Sequence, residues 1–137
     1  MGKYEEAIAA YDRAIKINPQ LAVPWNNKGT ALGELGRYEE AIVACDKAIE
    51  IDPQYAEAWY HKGIVLAELR RYEEAIAAFD KANEINPQYA EAWYNKGNAL
   101  GGICKEDEAI DASTKANYIN TQYAEADNQK DITHERL

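Results

Sequence analysis

The pentapeptide YEEAI stands at 4–8, again at 38–42 and again at 72–76, so the chain repeats itself with a step of 34 residues. The same step carries Pro19, Pro53 and Pro87; Trp25, Trp59 and Trp93; Gly29, Gly63 and Gly97; and Leu32, Leu66 and Leu100. A unit this small cannot bury its own apolar face. Neighbouring units must therefore stack, each touching only the next, and the molecule grows along one axis.

Within one unit the spacing predicts two helices, 22–35 and 38–51, joined by a turn at Gly36 and Arg37. Trp25, Gly29, Leu32 and Leu35 fall on one face of the first, with Gly29 small enough to admit a neighbour; Ala41, Ile42, Cys45, Ala48 and Ile49 make the matching stripe of the second. Proline lacks the N–H that a helix needs and clashes with the preceding turn, so the proline columns separate the helices. Ala, Glu, Lys, Leu and Ile are plentiful and there are only 4 Pro and 8 Gly, a composition with no penalty against helix anywhere. The expected fold is all-α, a right-handed superhelical solenoid of antiparallel helix pairs.

Phasing on these columns gives an unpaired second helix in 1–21, units at 22–55, 56–89 and 90–123, and a polar cap helix or frayed tail at 124–137, about eight helices. The third unit decays. Glu106 replaces the Tyr of YEEAI, Ser113 takes the column of Phe79, Thr121 takes the proline column, and Asp127, Asp131 and His134 stand where Trp, Gly and Leu belong.

These columns resemble the tetratricopeptide repeat, a unit of 34 residues with the pattern W-x2-L-G-x2-Y, then A-x3-F, then P. Trp59, Gly63, Ala75, Phe79, Ala82 and Pro87 match in the second unit, and Trp25, Gly29, Ala41, Ala48 and Pro53 in the first; Trp93, Gly97, Ala109 and Ala116 match in the third. Lys28, Lys62 and Lys96 depart from the Leu of the pattern, and Leu32, Leu66 and Leu100 from its Tyr. A Lys at the edge of an apolar stripe lays its stem on the core and keeps its ammonium wet, so the fold survives the change.

The resemblance implies a protein or peptide partner, held on the concave surface that the first helices of successive units line. The side of those helices opposite the apolar stripe carries Asn26, Asn27 and Thr30, then Tyr60, His61 and Ile64, then Tyr94, Asn95 and Asn98, and these are the expected partner-binding residues. Some members of the family clamp a C-terminal carboxylate with Lys, Asn and Arg. Here the corresponding columns hold Asn26, Thr30, His61, Glu91 and Asn95, and Glu91 opposes a carboxylate. A second expectation follows from Gly2 falling in a turn column, which leaves the helix of Tyr4, Ile8, Tyr11 and Ile15 without its partner. The chain then reads as a piece of a longer array, or as a module that forms a homo-oligomer through this open end.

Charge excludes other classes of partner. Lys and Arg number 15 against 24 Asp and Glu, a net charge of −9 that repels nucleic acid and anionic lipid. No apolar run is long enough for a membrane span, the first residues lack a signal-peptide core, and Cys45 and Cys104 have no metal or disulfide spacing, so a cytoplasmic chain is expected. His61 and His134 have no nucleophile at motif spacing, and neither a phosphate loop nor a metal motif is present, so neither enzyme activity nor a cofactor is expected. The Glu pairs at 5–6, 39–40 and 73–74 sit in first helical turns, where carboxylates favour the positive end of the helix dipole.

Overall fold

The computed structural model describes residues 2–135, with side chains to Glu125. Among these residues there are seven helices and no strand: α1 (Gly2–Ile17), α2 (Ala22–Glu34), α3 (Tyr38–Ile51), α4 (Ala56–Glu68), α5 (Tyr72–Ile85), α6 (Ala90–Gly102) and α7 (Glu106–Glu135). The paired stripes meet as the sequence predicts. Leu66, Ala75, Ala78, Phe79 and Ala82 form one buried cluster, and Leu32, Ala31, Ala41 and Ala44 another, with Ile42 packed against both.

Each close helix pair is set by a glycine. A Cβ built on Gly29 comes within 2.7 Å of Cys45 Sγ, one on Gly63 within 2.5 Å of the Phe79 ring, and one on Gly97 within 2.8 Å of Ser113 Oγ. The missing side chain on the first helix is what lets the second lie against it. The turn between them requires a left-handed residue, supplied by Gly36 at φ 77° and, in the next two units, by Arg70 and Cys104 at 60° and 61°. Only glycine adopts that conformation without a steric cost.

Consecutive helices pack along the chain, and in addition α2 touches α4 and α4 touches α6; α1, α3, α5 and α7 make no such contacts with one another. Inner helices that meet while outer ones splay apart give a curved solenoid. The even-numbered helices α2, α4 and α6 line its concave face.

The turn expected near residue 121 is absent, and α7 runs unbroken through it to Glu135, so the described residues hold seven helices where about eight were expected. At the three intact turns the Asn18, Asp52 and Asn86 carboxamide or carboxylate accepts the backbone N–H of Gln20, Gln54 and Gln88, each at 3.1 Å. Asn120 and Gln122 keep the outer residues of this turn and only the proline has changed. Thr121 has an N–H to give the helix, and its hydroxyl donates to Asn117 O at 2.9 Å, one turn back. The segment 124–135, expected as a separate cap or tail, thus continues α7, while the side chains of Asp127, Asp131 and His134 lie outside the described residues.

Restoring proline tests this account. Thr121→Pro is expected to end α7 near Asn120 and to lower the helical circular-dichroism signal. The unfolding midpoint should move little, because Ala112, Ala116 and Ile119, the buried residues of α7 among those whose side chains are described, all precede the break.

Candidate protein-interaction groove

The inner helices are aimed by a joint that recurs in every unit. The Trp25, Trp59 and Trp93 indoles donate to the carbonyls of Pro19, Pro53 and Pro87 at 3.1, 3.0 and 3.0 Å, tying each inner helix to the turn that precedes it. The ammoniums of Lys28, Lys62 and Lys96 lie 5.6, 5.7 and 5.3 Å from those indole centroids and pair with Asp12, Asp46 and Asp80 at 2.7, 2.7 and 2.6 Å. Each lysine therefore bridges an inner helix to the outer helix before it. The sequence carried a signal for this: the three aspartates share the 34-residue step. In α7 the aspartate column holds Thr114, and the joint ends with Asp80.

A second set of bonds ties inner helices to one another. The Asn26 amide donates from Nδ2 to Tyr55 Oη at 3.2 Å, and its Oδ1 lies 2.9 Å from His61 Nδ1. One unit further on, Asn95 Nδ2 donates to Tyr60 Oη at 3.1 Å. Tyr60 also packs its ring on Tyr89 at 4.9 Å and edge-on to His61 at 5.4 Å. With the Asn26 amide oriented so that Oδ1 meets His61, the His61 proton lies on Nδ1 and Nε2 is the ring's acceptor.

Several expected partner-binding residues are thus committed within the chain. Asn26 is only 3% exposed, a correction to its expected place on the open face: adjacent inner helices approach closely enough to cover it. Tyr60, His61 and Asn95 are half-buried in the same bonds. Tyr94, at 55% exposure, and Asn98 are open, while Asn27, Thr30 and Ile64 are partly so.

Two clefts run along this face. One, of about 280 Å³, lies between α2 and α4 and is lined by Thr30, Glu34, Tyr38, His61, Ile64 and Glu68. The other, of about 410 Å³, is lined by Ile64, Glu68, Arg70, Tyr72, Asn95 and Asn98. They share Ile64 and Glu68 and make one groove. Glu34, Tyr38, Glu68 and Tyr72 were not among the sequence-derived residues, although Glu34 and Glu68 stand one turn beyond Thr30 and Ile64 on the same helix face.

Family models of the tetratricopeptide repeat match residues 1–36, 26–90 and 78–127, which together span the two helix types, the glycine contacts and the proline turns described above. The chain is a tetratricopeptide repeat protein. Among solved structures it is similar to a crystal structure of MamA, at a TM-score of 0.85 and 27% identity over 90% of this chain and 72% of that one. It is also similar to a MamA fragment from Desulfovibrio magneticus RS-1, at 0.80 and 28% over 88% and 68% of the two chains. No curated protein matches the sequence.

Two of the titrating groups in this tetratricopeptide groove are displaced from their usual values. Burial pushes His61 down from 6.5, opposed by the nearby Glu57 carboxylate, and burial, reinforced by Glu91, pushes the Tyr60 phenol up. A histidine lowered in the folded state is protonated more readily once unfolded. Its penalty is absent above about 6.5 and grows as pH falls through that value. The stability lost between pH 7.5 and 5 is therefore expected to be smaller in His61→Asn, which installs the residue that the next repeat has at Asn95; urea midpoints at the two pH values measure the difference.

Along α1 the exposure of the residues expected at an open end differs from the expectation. Ile8, at 9% exposure, is buried against α2 in the cluster of Leu32 and Ala41, so it does not belong to the open end. Ala7, Tyr11 and Ala14 are only partly covered, whereas their repeat equivalents Ala41, Cys45 and Ala48 are fully buried. Tyr4 is exposed, Ile15 partly so, and Ile17, which the sequence reading missed, is 85% exposed.

Proposed function

We propose that the chain is a non-enzymatic scaffold that holds an extended segment or a helix of a partner protein along the concave face of α2, α4 and α6. The observation that carries this reading is the continuous groove through Ile64 and Glu68, lined by Asn98, which has no hydrogen bond within the described chain, on the inner helix that also exposes Tyr94. Flat aromatic surface beside amides that both donate and accept suits a polypeptide. The joints behind the groove hold the helices apart at a fixed pitch, so a partner meets a surface already in its bound shape. Membrane insertion has no support: no helix among the described residues is long and apolar enough to cross a bilayer. The net charge of −9 argues against nucleic acid, and the free thiols Cys45 and Cys104 suit the reducing cytosol; burial pushes Cys45 up to about 12, so it stays an inert thiol.

The test is capture of partners from lysate by the wild-type chain and by an Ile64→Ser, Tyr94→Glu, Asn98→Glu variant, which leaves Asn26, Tyr60 and the joints intact. A partner held by wild type and lost by the folded variant supports the groove; an unchanged set removes it. Self-association through α1 is the second reading, favoured by the incomplete cover of Ala7, Tyr11 and Ala14. It predicts a concentration-dependent mass in sedimentation that Tyr11→Glu abolishes, and a strict monomer contradicts it.

A further inference from the structure

We infer that the cleft between α2 and α4 takes a cationic segment of a partner, an extended stretch bearing Lys or Arg, seated over Ile64 with its charged groups at Glu34 and Glu68. This rests on the groove reading above and gives it a chemistry. The Thr30 hydroxyl donates to Asn26 O at 3.1 Å, so its oxygen presents lone pairs. In the tautomer that donates from Nδ1 to Asn26 Oδ1, His61 Nε2 is an acceptor as well. Glu34 and Glu68 accept only. Of the side chains lining this cleft, Tyr38 alone has an O–H to offer.

A surface made almost wholly of acceptors needs a ligand made of donors. Lys and Arg side chains are donors only, and a peptide backbone adds its N–H groups. Charge points the same way. Some carboxylates are paired within the chain, Asp12, Asp46 and Asp80 with lysines across the joints and Glu40 and Glu74 with Arg37 and Arg71. Among the described residues Glu34 and Glu68 form no ion pair, and Arg70 is the one cation beside the groove, at its α4 to α5 edge. An acidic segment would meet two bare carboxylates, whereas a basic one is drawn in by them and by the net charge of −9. Packed helices lie about 8–10 Å apart, roughly three residues of extended chain, so basic residues three apart reach Glu34 and Glu68 together.

The experiment is fluorescence anisotropy with three fluorescein-labelled peptides of equal length, carrying Lys, Gln or Glu at every third position among Ala and Ser. The Lys peptide is expected to bind wild type more tightly than the Gln peptide, the Glu peptide not at all. A Glu34→Gln, Glu68→Gln variant should bind the Lys peptide about tenfold more weakly, two charge contacts' worth. Glu50→Gln, Glu84→Gln, on the outer helices α3 and α5, should change little. Loss of Lys-peptide binding in the outer-face variant and not in the inner-face one overturns the inference, as does no binding of the Lys peptide. Equal binding of the Lys and Gln peptides, both weakened by Ile64→Ser, overturns the cationic chemistry while leaving the groove itself standing.

Discussion

Phe79→Ala is expected to lower the unfolding free energy by about 3–5 kcal/mol, the range for deleting a fully buried aromatic ring. Phe79 is wholly buried in the cluster with Leu66, Ala75 and Ala82, and it is the largest such side chain among the described residues. Its ring fills the space that Gly63 leaves open, touching the point where a Cβ would stand. The fully buried residues of its cluster are, apart from Leu66, alanines too short to reach into the void, so collapse recovers only part of the loss. The converse change, Gly63→Ala, pushes a methyl into that ring and is expected to cost about 1–3 kcal/mol. Urea unfolding followed by tryptophan fluorescence measures both, with the midpoint falling and the slope unchanged. A Phe79→Ala midpoint close to wild type would mean that α4 and α5 do not meet through this contact.

Asn83→Ile is expected to raise stability by about 1–3 kcal/mol. Asn83 sits in α5 at 5% exposure, and neither its Nδ2 nor its Oδ1 has a hydrogen-bond partner. A buried amide with both ends unpaired carries the full desolvation cost of two polar groups. The repeat shows what the site accepts, because Ile15 and Ile49 occupy the same column in the units before it. Isoleucine removes both orphaned groups and adds apolar contact. Thermal unfolding of Asn83→Ile, with the smaller Asn83→Val beside it, checks the sign. A fall in both would show that the amide is satisfied by something the helix contacts do not reveal.

How much of this was legible in the sequence follows from what a period can encode. Local devices recur at fixed offsets, so the proline turns, the Gly36 turn and the bounds of α3 could be read directly from columns. The loss of one device was underweighted. Asn120 and Gln122 still look like a turn, and only the N–H of Thr121 lets the helix continue; a column count registers three residues where the backbone responds to one. Contacts between units were harder, because they join different columns. Asn26 meets His61, and Tyr60 meets Asn95, one column over and one repeat on. A helical wheel drawn for α2 alone puts Asn26 opposite the apolar stripe and calls it open, whereas the approach of α4 buries it. The same blindness hid the acceptor character of the cleft, which depends on where the protons of Thr30 and His61 are already committed.

The central claim is that a partner lies in the groove of the inner helices, and a photo-crosslinking amino acid placed singly at position 94, 98 or 43 tests it most directly. Asn98 lines the groove and Tyr94 is exposed on the same inner helix, while Val43 is exposed on the outer helix α3. The account predicts that a captured partner crosslinks from 94 and 98 and not from 43. Crosslinks from 43 alone would put the partner on the convex side and contradict it.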